Sequence, residues 1–153
     1  MENLLNKDIR ELIPHREPFI FIDKILSAEP GYVIALKDVK KDEGYLKGHF
    51  PGMPLVPGVL LVESMAQASG IACASCASEQ MDLPSKHSVI YFLSRISDIK
   101  FKHTVLPGDV LTVKAKVVHS FEPFFRTQVS CEVNGRIVAE GELVLTKQKG
   151  ETV

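Results

Sequence analysis

Hydrophobic and polar residues alternate along the second half of the chain, with the period of two that is typical of strands with one buried face. Residues 89–92 and 96–101 are also rich in strand-forming residues. The dipeptide Asn134-Gly135, which joins the last two alternating stretches, is a preferred two-residue hairpin turn. The alternating hydrophobic residues are Leu111, Val113, Ala115, Val117, Val129, Cys131, Val133, Ile137, Ala139, Leu143 and Leu145. This half of the chain is predicted to form antiparallel strands.

The first half has shorter hydrophobic stretches separated by turn residues. Asn6 is expected to cap a short helix that ends before Pro14. Residues 19–22 are apolar enough to form a short strand, and residues 32–39 read as a second strand. Proline and glycine then recur between residues 44 and 58, which predicts a stiff loop.

A nearly unbroken apolar run follows this loop. Pro57 and Gly58 are a plausible start for a helix that extends to about Ser78. A helix that is apolar all round is either a membrane span or the centre of a globular core. Because Glu63 and Gln67 lie within it and the rest of the chain predicts amphipathic strands, the sequence favours a buried core helix.

The order of strands, one long apolar helix and further antiparallel strands predicts an α+β fold, with one curved sheet wrapped around a central helix. The chain of 153 residues is expected to form a single domain, residues 1–153. Its net charge of -1 gives no global basic field for nucleic acid. Three cysteines cannot all pair, and the first residues contain no long apolar run, so a reducing cytoplasm is expected.

The densest chemical signal lies in residues 48–67. His49 occupies the proline-stiffened loop, and Glu63 follows fourteen residues later on the apolar helix, with Gln67 four residues further on the same face. A carboxyl group buried without a paired base is a candidate proton donor, because burial favours its neutral form. Gly58, at the helix N-terminus, would offer free N–H groups to developing negative charge. These residues are a candidate base, acid and oxyanion site, although a lone loop histidine is often only structural.

The same residues, with other segments in the right order, resemble the FabZ-type β-hydroxyacyl-[acyl carrier protein] dehydratases of fatty-acid synthesis. The resemblance covers nearly the whole chain. Its segments are Ile13-Pro14-His15-Arg16-Glu17-Pro18-Phe19, residues 48–67, Tyr91-Phe92, Lys100-Phe101-Lys102 and Val105-Leu106-Pro107-Gly108-Asp109. It implies a hot-dog fold, a 3-hydroxyacyl chain on acyl carrier protein as substrate, no cofactor, no metal, and dimers that often assemble into hexamers.

The resemblance also implies roles for individual residues. His49 is the catalytic base, Glu63 the acid, and the backbone N–H of Gly58 binds the substrate carbonyl. His49 of one subunit is expected to face Glu63 of the other across a two-fold interface. The related FabA-type enzymes, which also isomerise the double bond, carry Asp at the acid position, so Glu63 favours a plain dehydratase. The residues expected to contact substrate are Phe50, Pro57, Gln67, Tyr91 and Phe92.

Some residues depart from the family pattern. They are Ile96-Ser97, His103-Thr104 and the aromatic segment 121–125. These departures leave open the acyl chain length and whether the pathway is primary fatty-acid synthesis or a secondary acyl or polyene pathway.

A local basic cluster of Arg95, Lys100 and Lys102, with His103 beside it, is interpreted as a docking site for the acidic carrier protein. The alternative is an ordinary solvated strand face.

Other residues that often carry chemistry are interpreted as structural. Cys73 and Cys76 lie within the helix without a second pair, and both are expected to be buried core cysteines. The remaining histidines lack metal-ligand spacing and are expected to be structural or exposed. They are His15, His87, His103 and His119.

Two other functions remain open at this point. An acyl-thioesterase, also common on hot-dog folds, would need an activated water and usually lacks the His-Phe-Pro-Gly loop. A non-catalytic acyl-binding subunit would be expected to lose His49 or Glu63, and both are present.

Overall fold

The computed structural model of the chain describes residues 2–77 and 89–149. Its elements are α1 (Glu2–Leu5), α2 (Ile9–Leu12), β1 (Lys24–Glu29), β2 (Tyr32–Asp38), a 3-10 turn (Gly44–Lys47), α3 (Gly58–Ala77), β3 (Val89–Phe101), β4 (Val110–Phe121), β5 (Phe124–Val133) and β6 (Arg136–Lys149). The six strands form one antiparallel sheet in the order β1-β2-β4-β5-β6-β3. The predicted α+β architecture is confirmed.

The sheet packs its apolar face on α3. On β4, Leu111 and Val113 are buried, while Thr112 between them is partly exposed on the other face, as the alternating pattern predicts. On α3, Met65 and Ile71 are fully buried. The helix is apolar on every side because the sheet and the N-terminal segment enclose it.

Helix α3 also has the composition of a membrane span. In the described part of the chain, the segment Gly58–Cys76 is the one helix that is long and apolar enough to cross a bilayer, with a mean hydropathy of 1.4. Of the most apolar window, 67% is buried inside the protein. This burial is typical of a core helix, as predicted. The predicted end of the helix at Ser78 falls outside the described residues.

The hairpin between β5 and β6 confirms the predicted turn. Asn134 and Gly135 have φ angles of 50° and 76°, and a type I′ turn requires positive φ at both central residues. The pattern missed a second hairpin, in which β4 and β5 continue to Phe121 and Phe124 around a two-residue turn. The two predicted strands at 89–92 and 96–101 are one continuous strand with two register shifts.

Two predictions near the N-terminus are wrong. Asp8, not Asn6, caps the short helix α2, because its carboxylate accepts a hydrogen bond from the N–H of Arg10 at 2.9 Å. Residues 19–22 are not a strand. They pass over α3 before β1 begins. The side chain of Gln67, on α3, bonds the carbonyl of Phe19 and the N–H of Phe21 in place of a neighbouring strand.

Gly141 on β6 is required by a bulge in the neighbouring strand. The pairing of β3 with β6 shifts register between Ser97 and Lys100, and Asp98 in this bulge has a φ of 52°. A Cβ atom at position 141 would lie 2.8 Å from the Cα of Ile99 and 2.9 Å from the carbonyl oxygen of Asp98. Backbone atoms cannot rotate away as the end of a side chain does, so a larger residue would push the two strands apart.

We therefore expect Gly141→Ala to lower the free energy of unfolding by about 1–3 kcal/mol, the usual cost of overpacking. Gly44→Ala is the control, because a Cβ at position 44 meets no heavy atom within 4 Å. The control should change the free energy by less than about 0.5 kcal/mol. Urea unfolding at one protein concentration compares the two variants. Equal midpoints for both would contradict the requirement for glycine.

Candidate active site

The loop that carries His49 holds the imidazole through its own backbone. The N–H of Leu55 donates to the carbonyl of His49, and Nδ1 of His49 lies 2.9 Å from the carbonyl oxygen of Leu55. Since a carbonyl only accepts, Nδ1 carries the proton and Nε2 is the bare nitrogen of the neutral ring. Phe50, itself 48% exposed, stacks on the imidazole with ring centroids 4.1 Å apart. The loop therefore presents Nε2 as a base.

A buried lysine ties the start of this loop to the sheet. Nζ of Lys37, on β2, lies 2.9 Å from Glu43 and 3.3 Å from Asp23. Burial alone would lower the pKa of Lys37, but the hydrogen bond to Glu43 and the charge of Asp23 outweigh it and raise the pKa above its ordinary value. Lys37 therefore stays charged and holds Glu43, six residues before His49, close to the sheet.

Glu63 lies on α3 and is held by the amide of Gln67. Nε2 of Gln67 donates to Oε1 of Glu63 at 3.0 Å and to the carbonyl of Phe19 at 3.0 Å. Oε1 of Gln67 accepts from the N–H of Phe21 at 2.9 Å. The amide therefore joins the carboxyl group to residues 19–22, whose buried backbone groups would otherwise need a strand partner.

The expectation that Glu63 lacks a paired base is wrong. Its side chain is 19% exposed, and besides Gln67 it has His15, whose Nε2 lies 3.3 Å from Oε1. His15 was expected to be structural or exposed, because helix periodicity cannot place a residue 48 positions before Glu63. The signal that could have found it is its place beside Pro14, within a segment that the family resemblance includes.

Glu63 faces a cavity with aromatic walls. Tyr91 and Phe92 of β3 line it together with Glu63, Gln67 and His15. Burial raises the pKa of the Tyr91 hydroxyl above its ordinary value, so this wall stays uncharged. The structure thus brings together four of the predicted site residues and adds His15.

Gly58 lies in a different groove, which Leu55, Phe101 and Lys102 also line. A Cβ atom at position 58 would lie 3.0 Å from the Phe101 ring. Pro57 directly precedes the helix, and its carbonyl accepts the first bonds from the helical N–H groups. A side chain at position 58 would therefore have to displace the half-exposed Phe101 ring by a few tenths of an ångström.

Within one chain, the candidate base and acid do not share a cavity. Among the described residues, those that line the Glu63 cavity include neither His49 nor Gly58. Leu55, whose carbonyl holds the His49 ring, lines the Gly58 groove instead. The His49 ring is therefore held by a residue of the Gly58 groove and not by a residue of the Glu63 cavity.

The three basic residues of the expected docking cluster do not form one patch. Arg95 borders a groove that contains Arg126 and the aromatic rings of the β4–β5 hairpin. Lys100 lies in a shallow groove on the outer face of the sheet. Lys102 borders the Gly58 groove and forms an ion pair with Glu140.

The cysteines and remaining histidines lie outside the candidate site. Cys73 is buried, and burial raises the pKa of its thiol, but Cys76 is exposed, which corrects the expectation that both are buried. Cys76 lies in the last turn of α3, where the β1–β2 turn at Gly31 covers it only in part. His119 is exposed on β4, His103 borders the Gly58 groove, and His87 falls outside the described residues. In residues 2–77 and 89–149, no group of three or more His, Cys, Asp or Glu is arranged to hold a metal ion.

Comparison with known proteins gives one consistent family. The model of the FabA-like domain matches residues 13–146. A relative named 3-hydroxyacyl-[acyl-carrier-protein] dehydratase FabZ, from Ruminiclostridium cellulolyticum, is 42% identical over 147 residues. The match covers 95% of this chain and 99% of the relative.

Solved structures confirm the hot-dog fold. The dehydratase heterocomplex ApeI:P from Xenorhabdus doucetiae aligns with a TM-score of 0.78 at 17% identity, covering 94% of this chain and 92% of that chain. A hypothetical thioesterase with coenzyme A from Streptococcus pneumoniae aligns with a TM-score of 0.61 at 18% identity, covering 84% and 88%. At such identities the likeness shows the fold alone, because one fold carries several chemistries.

The Gln67 amide yields a stability prediction. We expect Gln67→Leu to lower the free energy of unfolding by about 2–4 kcal/mol, because the N–H of Phe21 and the carbonyl of Phe19 lose their partner and each unpaired buried group costs about 1–3 kcal/mol. Ser64→Ala, which removes only a bond to the carbonyl of Leu60 within the same helix, should cost less than about 1.5 kcal/mol.

Amide hydrogen exchange locates the effect. In Gln67→Leu the N–H of Phe21 should exchange faster than in the wild type, and in Ser64→Ala its rate should not change. An unchanged rate in Gln67→Leu would show that the amide does not hold residues 19–22.

Proposed function

The chain belongs to the FabA-like domain family, and we propose that it removes water from 3-hydroxyacyl chains on acyl carrier protein, giving trans-2-enoyl thioesters, as in fatty-acid synthesis. A relative matched over 99% of its length carries the name of this dehydratase. The observation that carries the proposal is the bond from Nδ1 of His49 to the Leu55 carbonyl, which leaves Nε2 as a base in a chain that also presents Glu63 at an aromatic cavity. Dehydration needs one base and one acid.

The proposed reaction divides the work among three groups. Nε2 of His49 takes the α-proton, and the carbon–oxygen bond breaks as Glu63 gives its proton to the departing hydroxyl, which leaves as water. The N–H of Gly58 stabilises the negative charge that develops on the thioester oxygen. Afterwards His49 releases its proton to solvent and Glu63 takes up a proton from solvent, so both residues return to their starting states. General acid–base catalysis by His49 and by Glu63 should each raise the reaction rate by about 10²–10⁴-fold.

We further propose that two copies of the chain complete each site. The absence of His49 and Gly58 from the described residues that line the Glu63 cavity supports this arrangement. A second support is β3, an edge strand of the sheet that exposes the large apolar residues Phe92, Ile96 and Phe101. An exposed apolar edge is a ready surface for pairing with another chain. We propose a two-fold dimer, alone or as part of a trimer of dimers.

Phe50, Pro57, Gln67, Tyr91 and Phe92 remain the proposed substrate contacts, with the acyl chain in the aromatic cavity. For the carrier protein, we propose that Arg95, Lys100 and Lys102 provide separate contacts along β3. Of the three proposed contacts with the carrier protein, that of Lys102 should be the weakest, because Glu140 already compensates its charge. The proposed location is the cytoplasm, where the thiols would stay reduced.

We expect His49→Ala and Glu63→Gln each to lower kcat by at least about 10²-fold, because each removes one proton-transfer group. Formation of the enoyl thioester from a 3-hydroxyacyl carrier protein measures kcat, and circular dichroism checks that the variants fold. His119→Ala, an exposed histidine on β4, serves as control and should keep normal turnover. Near-normal turnover in either site variant would show that its role is wrongly assigned.

Subunit exchange tests whether sites are shared. When inactive His49→Ala and Glu63→Gln proteins are mixed and allowed to exchange, each mixed dimer has one site with both changes and one site with neither. Random exchange makes half of the dimers mixed, so about a quarter of all sites should recover activity.

If both residues came from one chain, every site would keep one defect. Activity would then stay at background at all mixing ratios. That result would overturn the shared site but not the dehydratase.

A further inference from the structure

We propose that His15 is a positioning residue for Glu63, and that it determines which carboxyl oxygen exchanges the proton. This inference rests on the proposed function, in which Glu63 is the acid. Its basis is the approach of Nε2 of His15 to Oε1 of Glu63 at 3.3 Å. That distance is slightly longer than the ~2.7–3.2 Å of most N–H···O bonds, and catalytic contacts often shorten when substrate binds.

Both neighbours of the carboxyl group lie on the same oxygen. Oε1 of Glu63 accepts from Gln67 at 3.0 Å and meets His15 at 3.3 Å. In the described part of the chain, Oε2 has neither contact, and it is not among the buried atoms without a partner. With donors on Oε1, a proton on the carboxyl group belongs on Oε2. We infer that Oε2 is the oxygen that protonates the departing hydroxyl.

The surroundings of His15 select one form of its ring. A bare Nε2 would either face the lone pairs of a carboxylate or accept the carboxyl proton through Oε1, and in both cases the ring proton of neutral His15 would have to lie on Nδ1. The other nitrogen, Nδ1, is buried and has no hydrogen-bond partner among the described residues. A proton there would be a buried donor without an acceptor. His15 is therefore the neutral tautomer with its proton on Nε2.

The segment around His15 is held in place by bonds from the Arg16 side chain to backbone carbonyls of the same segment. The guanidinium of Arg16 donates to the carbonyl of Ile13 at 3.1 Å and to that of His15 at 2.7 Å. The His15 ring stacks loosely on Phe19, with centroids 6.3 Å apart and planes 16° from parallel. Phe19 is also the residue whose carbonyl accepts from Gln67. The N-terminal segment therefore places Nε2 of His15 beside Glu63, and helix α3 places Nε2 of Gln67 there.

The contribution of His15 should appear in the chemical step. When Glu63 gives up its proton, the carboxylate that forms carries negative charge on Oε1, where both donors lie. The contact is therefore stronger after proton transfer than before it, which lowers the barrier without tightening substrate binding. A purely structural role would not separate kcat from KM in this way.

Three variants and one spectrum test the proposal on the full chain. His15→Leu, which keeps bulk but removes the donor, should lower kcat about 10- to 100-fold and leave KM for a 3-hydroxyacyl carrier protein within about threefold. His15→Gln, whose amide Nε2 can donate to Oε1, should recover most of kcat. His119→Leu is the matched control and should behave as the wild type.

The ¹⁵N spectrum of the histidine rings gives a readout that does not depend on catalytic activity. It should show His15 with Nε2 protonated and Nδ1 bare, and the assignment comes from the signal that is lost in His15→Gln. A proton on Nδ1, unchanged kcat in His15→Leu, or no recovery in His15→Gln would each overturn the proposal. A wild-type protein that does not dehydrate the substrate at all would instead overturn the proposed function, and the spectrum would still report on the contact.

Discussion

Gln67 is almost fully buried, and its side-chain amide satisfies three different groups at once. It pairs with one N–H and one carbonyl of the segment that crosses α3, and it holds Glu63 on the same helix. In a helix enclosed by a sheet, a polar side chain without partners would be costly, so this amide must find acceptors and donors at fixed places. That requirement fixes the N-terminal segment over the helix and, through it, the surroundings of Glu63. The contact of His15 with Glu63 follows from the same placement.

The periodic part of the fold could be predicted from the sequence because its signal is local. Alternation identified the strands of the second half, and the unbroken apolar run identified α3. The path of residues 19–22 could not be predicted, since an apolar stretch reads as a strand whether its backbone pairs with another strand or with a side chain such as Gln67. The contact of His15 with Glu63 could not be predicted either, because it depends on how two segments distant in sequence pack together.

Part of the candidate site could likewise be predicted from the sequence, and part could not. His49, Gly58 and Glu63 stand in motifs whose spacing is visible along the chain, so they could be named from sequence. The expected basic cluster could not be placed as one unit, because a bulge in β3 lies between Arg95 and Lys100. Arg95 therefore borders a different groove from Lys100 and Lys102, which both lie beside Glu140.

The fold alone does not separate a dehydratase from a thioesterase, since solved structures of both kinds align with this chain. The separation rests on the chemistry of His49 and Glu63, which suits removal of an α-proton and a hydroxyl group. The most direct measurement is the mass of the carrier protein after incubation of the purified protein with a 3-hydroxyacyl carrier protein. The account predicts a carrier that still bears its acyl chain and has lost one water. A carrier without its chain, together with free 3-hydroxy acid, would contradict it.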